Sequence, residues 1–145
     1  MTVDKWLDNR HWLQGGCLVG FPITAAKLDT ETNQFEFELA GVRKFVLRDD
    51  QRSCCETRYI TCDDPMSNII GGLITKITCE DGGDRSDNEY ERHDVMFVKV
   101  ETHLGFIALT THNCHNGYYG GFTLMLHELY EGGAIGCTWR LDNAD

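Results

Sequence analysis

Gln34-Phe35-Glu36-Phe37-Glu38-Leu39 decides the fold class. Apolar Phe35, Phe37 and Leu39 alternate with Glu36 and Glu38. A strand sends successive side chains to opposite faces, whereas a helix would scatter these five around its axis. The period of two predicts a strand with Phe35, Phe37 and Leu39 in a core and both glutamates in water. A turn-rich stretch, 29–33, precedes it. Gly41 follows it and supports a tight hairpin into a second strand over 42–47.

Working outward, the same signals recur. Strands are expected at 17–26, from Glu56 through Tyr59 and Ile60, and at 73–79, 95–101, 106–111, 122–126 and 134–141. Pro22 cannot donate to a ladder and points to an edge or a bulge. Thr102-His103-Leu104-Gly105 suits a hairpin turn. Residues 64–71 read as a short helix: Asp64 caps it, Pro65 fills its first position and Gly71 takes a left-handed stop. Met66, Ile69 and Ile70 would dock it on the sheet. Trp6, Leu7, Trp12 and Leu13 allow a short N-terminal helix or an aromatic clasp, ended by Gly15-Gly16. The polar segment 80–92 offers little apolar area and is expected to be a mobile acidic loop. Strands about ten residues apart with short turns favour antiparallel connections over βαβ crossovers. The expected class is mainly β, with α+β as the variant. An antiparallel curved sheet, a sandwich or an open barrel would each fit.

The chain has 145 residues, 41% apolar and 25% charged, with a formal charge of −10. That suits one domain, 1–145, able to bury its own core without metal or disulfide. Like-charge repulsion argues against binding duplex nucleic acid. No run approaches the roughly 18 apolar residues of a membrane span. Met1 is followed by Asp4, Lys5 and Asp8 rather than an apolar run, so no signal peptide is expected and a cytosolic setting is. The seven cysteines are odd in number and scattered, which argues against a disulfide framework.

Two stretches carry candidate chemistry. Arg43, Lys44, Arg48, Arg52 and Arg58 gather basic charge that would suit either solvated strand faces or a pocket for a small anion. Thr111 to Gly121 packs His112, Asn113, Cys114, His115, Asn116, Tyr118 and Tyr119 around glycines. Asn116-Gly117 turns easily, and such a loop can present side chains from two strands. His112, Cys114 and His115 are the residues a metal would take, joined by Cys54, Cys55 or Cys62 in a zinc-like set. No Cys-x-x-Cys is present, and adjacent Cys54 and Cys55 would face opposite sides of a strand. A Cys-His nucleophile pair is a further alternative. The expectation is no cofactor and no metal.

Asp50-Gln51-Arg52-Ser53-Cys54-Cys55-Glu56, then Ile69-Ile70-Gly71, then Asn116-Gly117-Tyr118-Tyr119 stand in that order. In this order they resemble a family of small, mostly phage-encoded domains of unknown function. Its pattern runs Cys-Cys-Glu, Leu-Ile-Gly, Asn-Gly-Tyr-Tyr. The resemblance covers a core of about 18–126 and leaves 127–145 as a C-terminal extension. His112-Asn113-Cys114-His115 and Gly120-Gly121 depart from the family's usual flanks. The resemblance implies phage origin, and hence a host cytoplasm, but no active site.

The expected role is an accessory protein that binds rather than turns over. It would counteract a host defence by sequestering a small anionic nucleotide signal or by blocking a host protein. The ligand-binding candidates are Arg52, Arg58, Asn116, Tyr118 and Tyr119. A homo-oligomer is an open option, and a zinc- or thiol-dependent enzyme using 112–115 is the alternative.

Overall fold

The computed structural model describes residues 5–7, 18, 20–51, 56–86, 91–117 and 120–141. Among them are ten strands: β1 (Lys5–Leu7), β2 (Ile23–Asp29), β3 (Gln34–Leu39), β4 (Arg43–Asp49), β5 (Thr57–Cys62), β6 (Ile74–Asp84), β7 (Arg92–Thr102), β8 (Phe106–His115), β9 (Leu124–Leu129) and β10 (Ile135–Leu141). They form two sheets, ordered β1-β10-β9-β4-β3-β2 and β5-β8-β7-β6. Neighbours are antiparallel except β1, which runs parallel to β10. The mainly β expectation holds, in an open two-sheet form.

The alternation that opened the sequence reading sets the core. Phe35, Phe37 and Leu39 are at most 3% exposed. Phe37 stacks on Phe45 of the facing strand, centroids 5.1 Å apart, and on Phe35 at 5.5 Å. Leu47, Leu124 and Leu126 extend this surface, and Ile60, Ile77, Val98, Ile107 and Leu109 meet it from the second sheet. Glu36 and Glu38 are half-buried rather than fully in water. Lys27 covers Glu36 at 3.4 Å, and Thr24 Oγ1 donates to Glu38 at 2.8 Å. The β3–β4 hairpin turns through Ala40 and Gly41, both at positive φ, as a type I′ turn requires.

The short helix expected near 64–71 is a three-residue 3₁₀ turn, Met66–Asn68. Asp64 does not cap it. Its carboxylate accepts the Ala108 N–H at 2.7 Å, extending the β8 ladder just past the end of β5. Gly71 does take the left-handed stop, at φ +83°. No N-terminal helix forms at 5–7, which is strand; Trp12, Leu13 and the Gly15-Gly16 pair lie outside the described residues. The segment 80–84 belongs to β6, and β7 resumes at Arg92. Residues beyond 126 complete the first sheet, because β9 lies between β4 and β10.

The antiparallel registers sort the connections into two ends. Residues 30–33, 50–51, 56, 85–86, 91, 116–117 and 120–123 lie at one end of the sandwich. Residues 40–42, 63–73, 103–105 and 130–134 lie at the other.

Candidate functional site

At the first end, Arg58 points inward from β5 and ties the two sheets together. Its Nε and Nη2 donate to Glu56 Oε1 and Oε2, each at 2.7 Å, and its Nη1 donates to Asp49 Oδ2 at 2.6 Å. The three side chains are 8%, 3% and 7% exposed, so this is a buried network. Burial works against the Arg58 charge, but the bonds to Glu56 and Asp49 outweigh it and raise the guanidinium above its ordinary value. Nη1 also donates to the Gly121 carbonyl at 2.9 Å, which accepts the Asn113 side-chain amide as well, at 3.3 Å.

Around that clamp the two segments singled out in the sequence meet. Asp49 Oδ1 accepts the N–H groups of Gln51 and Thr123, and the Asp50 N–H donates to the Thr123 carbonyl. Gln51 Nε2 donates to the Gly120 carbonyl at 3.3 Å, and Thr123 Oγ1 donates to Gln51 Oε1 at 3.2 Å. Asn116 is exposed on the turn after β8. Arg52, Tyr118, Tyr119, Cys54 and Cys55 lie outside the described residues. Beside the clamp opens a cleft of about 300 Å³. Asp81, Asp84 and Asp94 rim it, and Met96 and Phe122 give it an apolar floor.

Three arginines of the basic stretch are engaged internally. Arg43 makes a two-bonded pair with Glu128, Arg48 donates to Asp50 at 2.7 Å, and Arg58 holds Glu56 and Asp49. Arg58 therefore presents its donors to carboxylates of its own chain, not outward to a phosphate.

The 111–115 stretch is strand, not loop, and this divides the residues assigned to a metal. Alternation along β8 puts His112 and Cys114 on the outer face and His115 on the inner one, so these three cannot converge on one ion. His115 Nδ1 accepts the Gly117 N–H at 3.0 Å, which assigns the proton to Nε2, donated to Asp94 Oδ2 at 2.7 Å. Outside, His112 stacks on Tyr59 with rings 4.3 Å apart and 6° from parallel. Its Nδ1 shares a hydrogen bond with His93 Nε2 at 2.8 Å, and its Nε2 meets Thr61 Oγ1 at 2.8 Å. Burial, with the nearby His93 adding to it, lowers the His112 pKa. Cys62 and Cys114 are free thiols, and burial pushes the Cys62 thiol up. Among the described residues no group of three or more His, Cys, Asp or Glu is placed to hold a metal ion.

A third cluster was invisible in the sequence. His127 Nε2 bonds Asp50 Oδ2 at 2.7 Å, and His127 Nδ1 meets Thr138 Oγ1 at 2.9 Å. The order carboxylate, imidazole, hydroxyl is that of a nucleophile triad. Both His127 and Thr138 are 0% exposed, so no substrate reaches the hydroxyl in this fold. Burial pushes the Asp50 carboxyl up, but the bonds from His127 and Arg48 outweigh it and leave it below its ordinary value.

No helix among the described residues is long and apolar enough to cross a membrane. No curated protein and no solved structure matches the chain. A family model does, over residues 17–125, which span both loops of the clamp. By that match the chain belongs to the family described as a domain of unknown function, DUF7448.

Proposed function

We propose that this protein is a binding module whose contact surface is the sandwich end where residues 49–51 and 120–123 meet. The observation that carries the reading is the Arg58 clamp, which joins both loops to the strands beneath them. Loops held on a rigid sheet present side chains in fixed positions, which is what recognition needs. Of the two partner classes, a protein with a basic surface fits better than an anionic nucleotide. Arg48 and Arg58 already face carboxylates, and Asp81, Asp84 and Asp94 rim the adjoining cleft. A lysine or arginine from a partner would find opposite charge there and an apolar floor for its stem. The resemblance to phage-encoded domains supplies the setting: an accessory protein that blocks a host defence protein in the host cytoplasm.

The test pairs two measurements on the whole chain. Immobilised protein is exposed to bacterial lysate over a salt series, and free protein is titrated calorimetrically with cyclic dinucleotides, cyclic trinucleotides and cyclic ADP-ribose isomers. The expected result is one basic partner, released as salt rises and lost with Asp81→Asn/Asp84→Asn, and no heat with the nucleotides. Heat with a nucleotide, together with no salt-sensitive partner, would reverse the choice.

A further inference from the structure

His115 joins the turn after β8 to the acidic cleft through two ring bonds. Its side chain is 4% exposed. Nδ1 accepts the Gly117 N–H at 3.0 Å, and Nε2–H donates to Asp94 Oδ2 at 2.7 Å. Gly120 closes over the pair: a Cβ there would lie 3.4 Å from Asp94 Oδ2 and 3.6 Å from the imidazole ring. Asp94 in turn rims the cleft with Asp81 and Asp84. One buried side chain of a kind that changes charge near neutral pH therefore holds both the turn and a carboxylate of the proposed contact surface.

The Gly117 bond belongs to the neutral ring alone. An imidazolium carries a proton on each nitrogen and accepts nothing. A proton added at Nδ1 would face the Gly117 proton across 3.0 Å, so one of the two bonds must yield. The Asp94 bond becomes charge-assisted on protonation, roughly twice as strong as a neutral one. The Gly117 bond is therefore the one that opens. The turn can follow, because Gly117 sits at φ +101° and Gly121 at φ +89°, and glycine rotates at low steric cost. Its far side stays fixed, since Gln51 holds the Gly120 carbonyl and Arg58 and Asn113 hold that of Gly121. Among the described residues, the charged groups on the ring's side of the sheet are named by element. From β7 come Asp94 and the cross-strand neighbour Arg92. From β6 come Asp81 and Asp84, the latter paired with Arg92 at 3.0 Å. Gly120 to Thr123 bring no charge, and Asp49 and Glu56 beyond them are bound to Arg58.

We propose that His115 is a proton-operated latch on the turn after β8: neutral, it holds Gly117 and Asp94 together; protonated, it keeps Asp94 and lets Gly117 go. The protonated ring also offsets the Asp94 charge at the cleft rim, so acid weakens capture of a basic partner. That consequence rests on the binding reading above, whereas the latch is a property of the free chain. NMR of the full chain, isotope-labelled and without partner, from about pH 8 to 5 tests it. His115 should show the Nε2–H tautomer at the high end. The Gly117 amide should lose exchange protection by about tenfold, the worth of one hydrogen bond, with the same midpoint as the ring. His115→Asn is the control. Its Oδ1 can accept the Gly117 N–H as an Asx turn and has no proton to gain. Water can then serve Asp94, whose side chain is 29% exposed. Gly117 protection in this variant should stay level across the range. A ring that remains neutral throughout, a Gly117 amide unmoved while His115 titrates, or a loss retained in His115→Asn would overturn the latch. Failure to capture a basic partner while the Gly117 transition persists would sink the binding reading alone.

Discussion

Arg58 and Glu56 sit two residues apart and face each other through two parallel hydrogen bonds of 2.7 Å, with both side chains nearly closed to water. A strand places residues i and i+2 on one face, so the pairing follows from the backbone. Removing one partner leaves the other as an uncompensated buried charge. Arg58→Met should cost about 3–5 kcal/mol in urea unfolding. Arg58→Met combined with Glu56→Leu should cost less than the sum of the single changes, because Asp49 alone is then left to compensate. Equal additivity would show that the pair does not act as a unit.

Phe37 tests the core. It is 3% exposed and stacked nearly parallel on Phe45. Phe37→Ala should lower stability by about 3–5 kcal/mol through lost burial and the cavity left behind. A loss below about 1 kcal/mol in chemical denaturation would mean the hairpin does not depend on that ring.

Phe37 was legible in the sequence for the same reason that the 112–115 residues were misplaced. Alternation of large apolar and charged side chains speaks clearly of two faces. Thr110-Thr111-His112-Asn113-Cys114-His115 alternates just as strictly, Thr111, Asn113 and His115 in and the rest out, but all except Cys114 are polar. Hydropathy therefore carried no signal, and Asn116-Gly117 pulled the reading towards a loop. Strand order was equally silent. Nothing local to 127–141 says that it returns to the first sheet beside β4, since that pairing spans about eighty residues. Asp50, His127 and Thr138 come together only through it.

The outer face gives a pH dependence. The folded-state His112 pKa is lowered from 6.5 by burial and by the neighbouring His93. The unfolded chain thus binds a proton at higher pH than the folded one does. Stability contributed here is complete above 6.5 and declines as pH falls through that value towards the folded pKa. Protonating both rings would also set two N–H groups against each other across the 2.8 Å contact between His93 Nε2 and His112 Nδ1. The melting temperature of the parent should drop between pH 6.5 and 5, and His112→Phe, which keeps the stack on Tyr59, should flatten that slope. Parallel slopes in parent and variant would remove His112 from the account.

The buried Asp50–His127–Thr138 chain supplies the last prediction, because its order invites an enzymatic reading that its burial opposes. Catalysis by Thr138 would require its Oγ1 to meet a substrate, yet Thr138 and His127 are 0% exposed and cross-strand neighbours in β9 and β10. The chain instead satisfies polar groups that burial would otherwise leave costly. It also ties Asp50, at the foot of the joined loops, across β9 to β10, two strands over from β4 in the first sheet. A fluorophosphonate probe should leave the native protein's mass unchanged. Thr138→Val removes the hydroxyl at nearly constant shape and leaves His127 Nδ1 without its partner, so it should cost about 1–3 kcal/mol. His127→Leu should cost more, since it strips Asp50 and Thr138 together. Stoichiometric labelling that vanishes in Thr138→Val would establish an accessible nucleophile; the mass spectrum and the unfolding curves of the two variants decide between them.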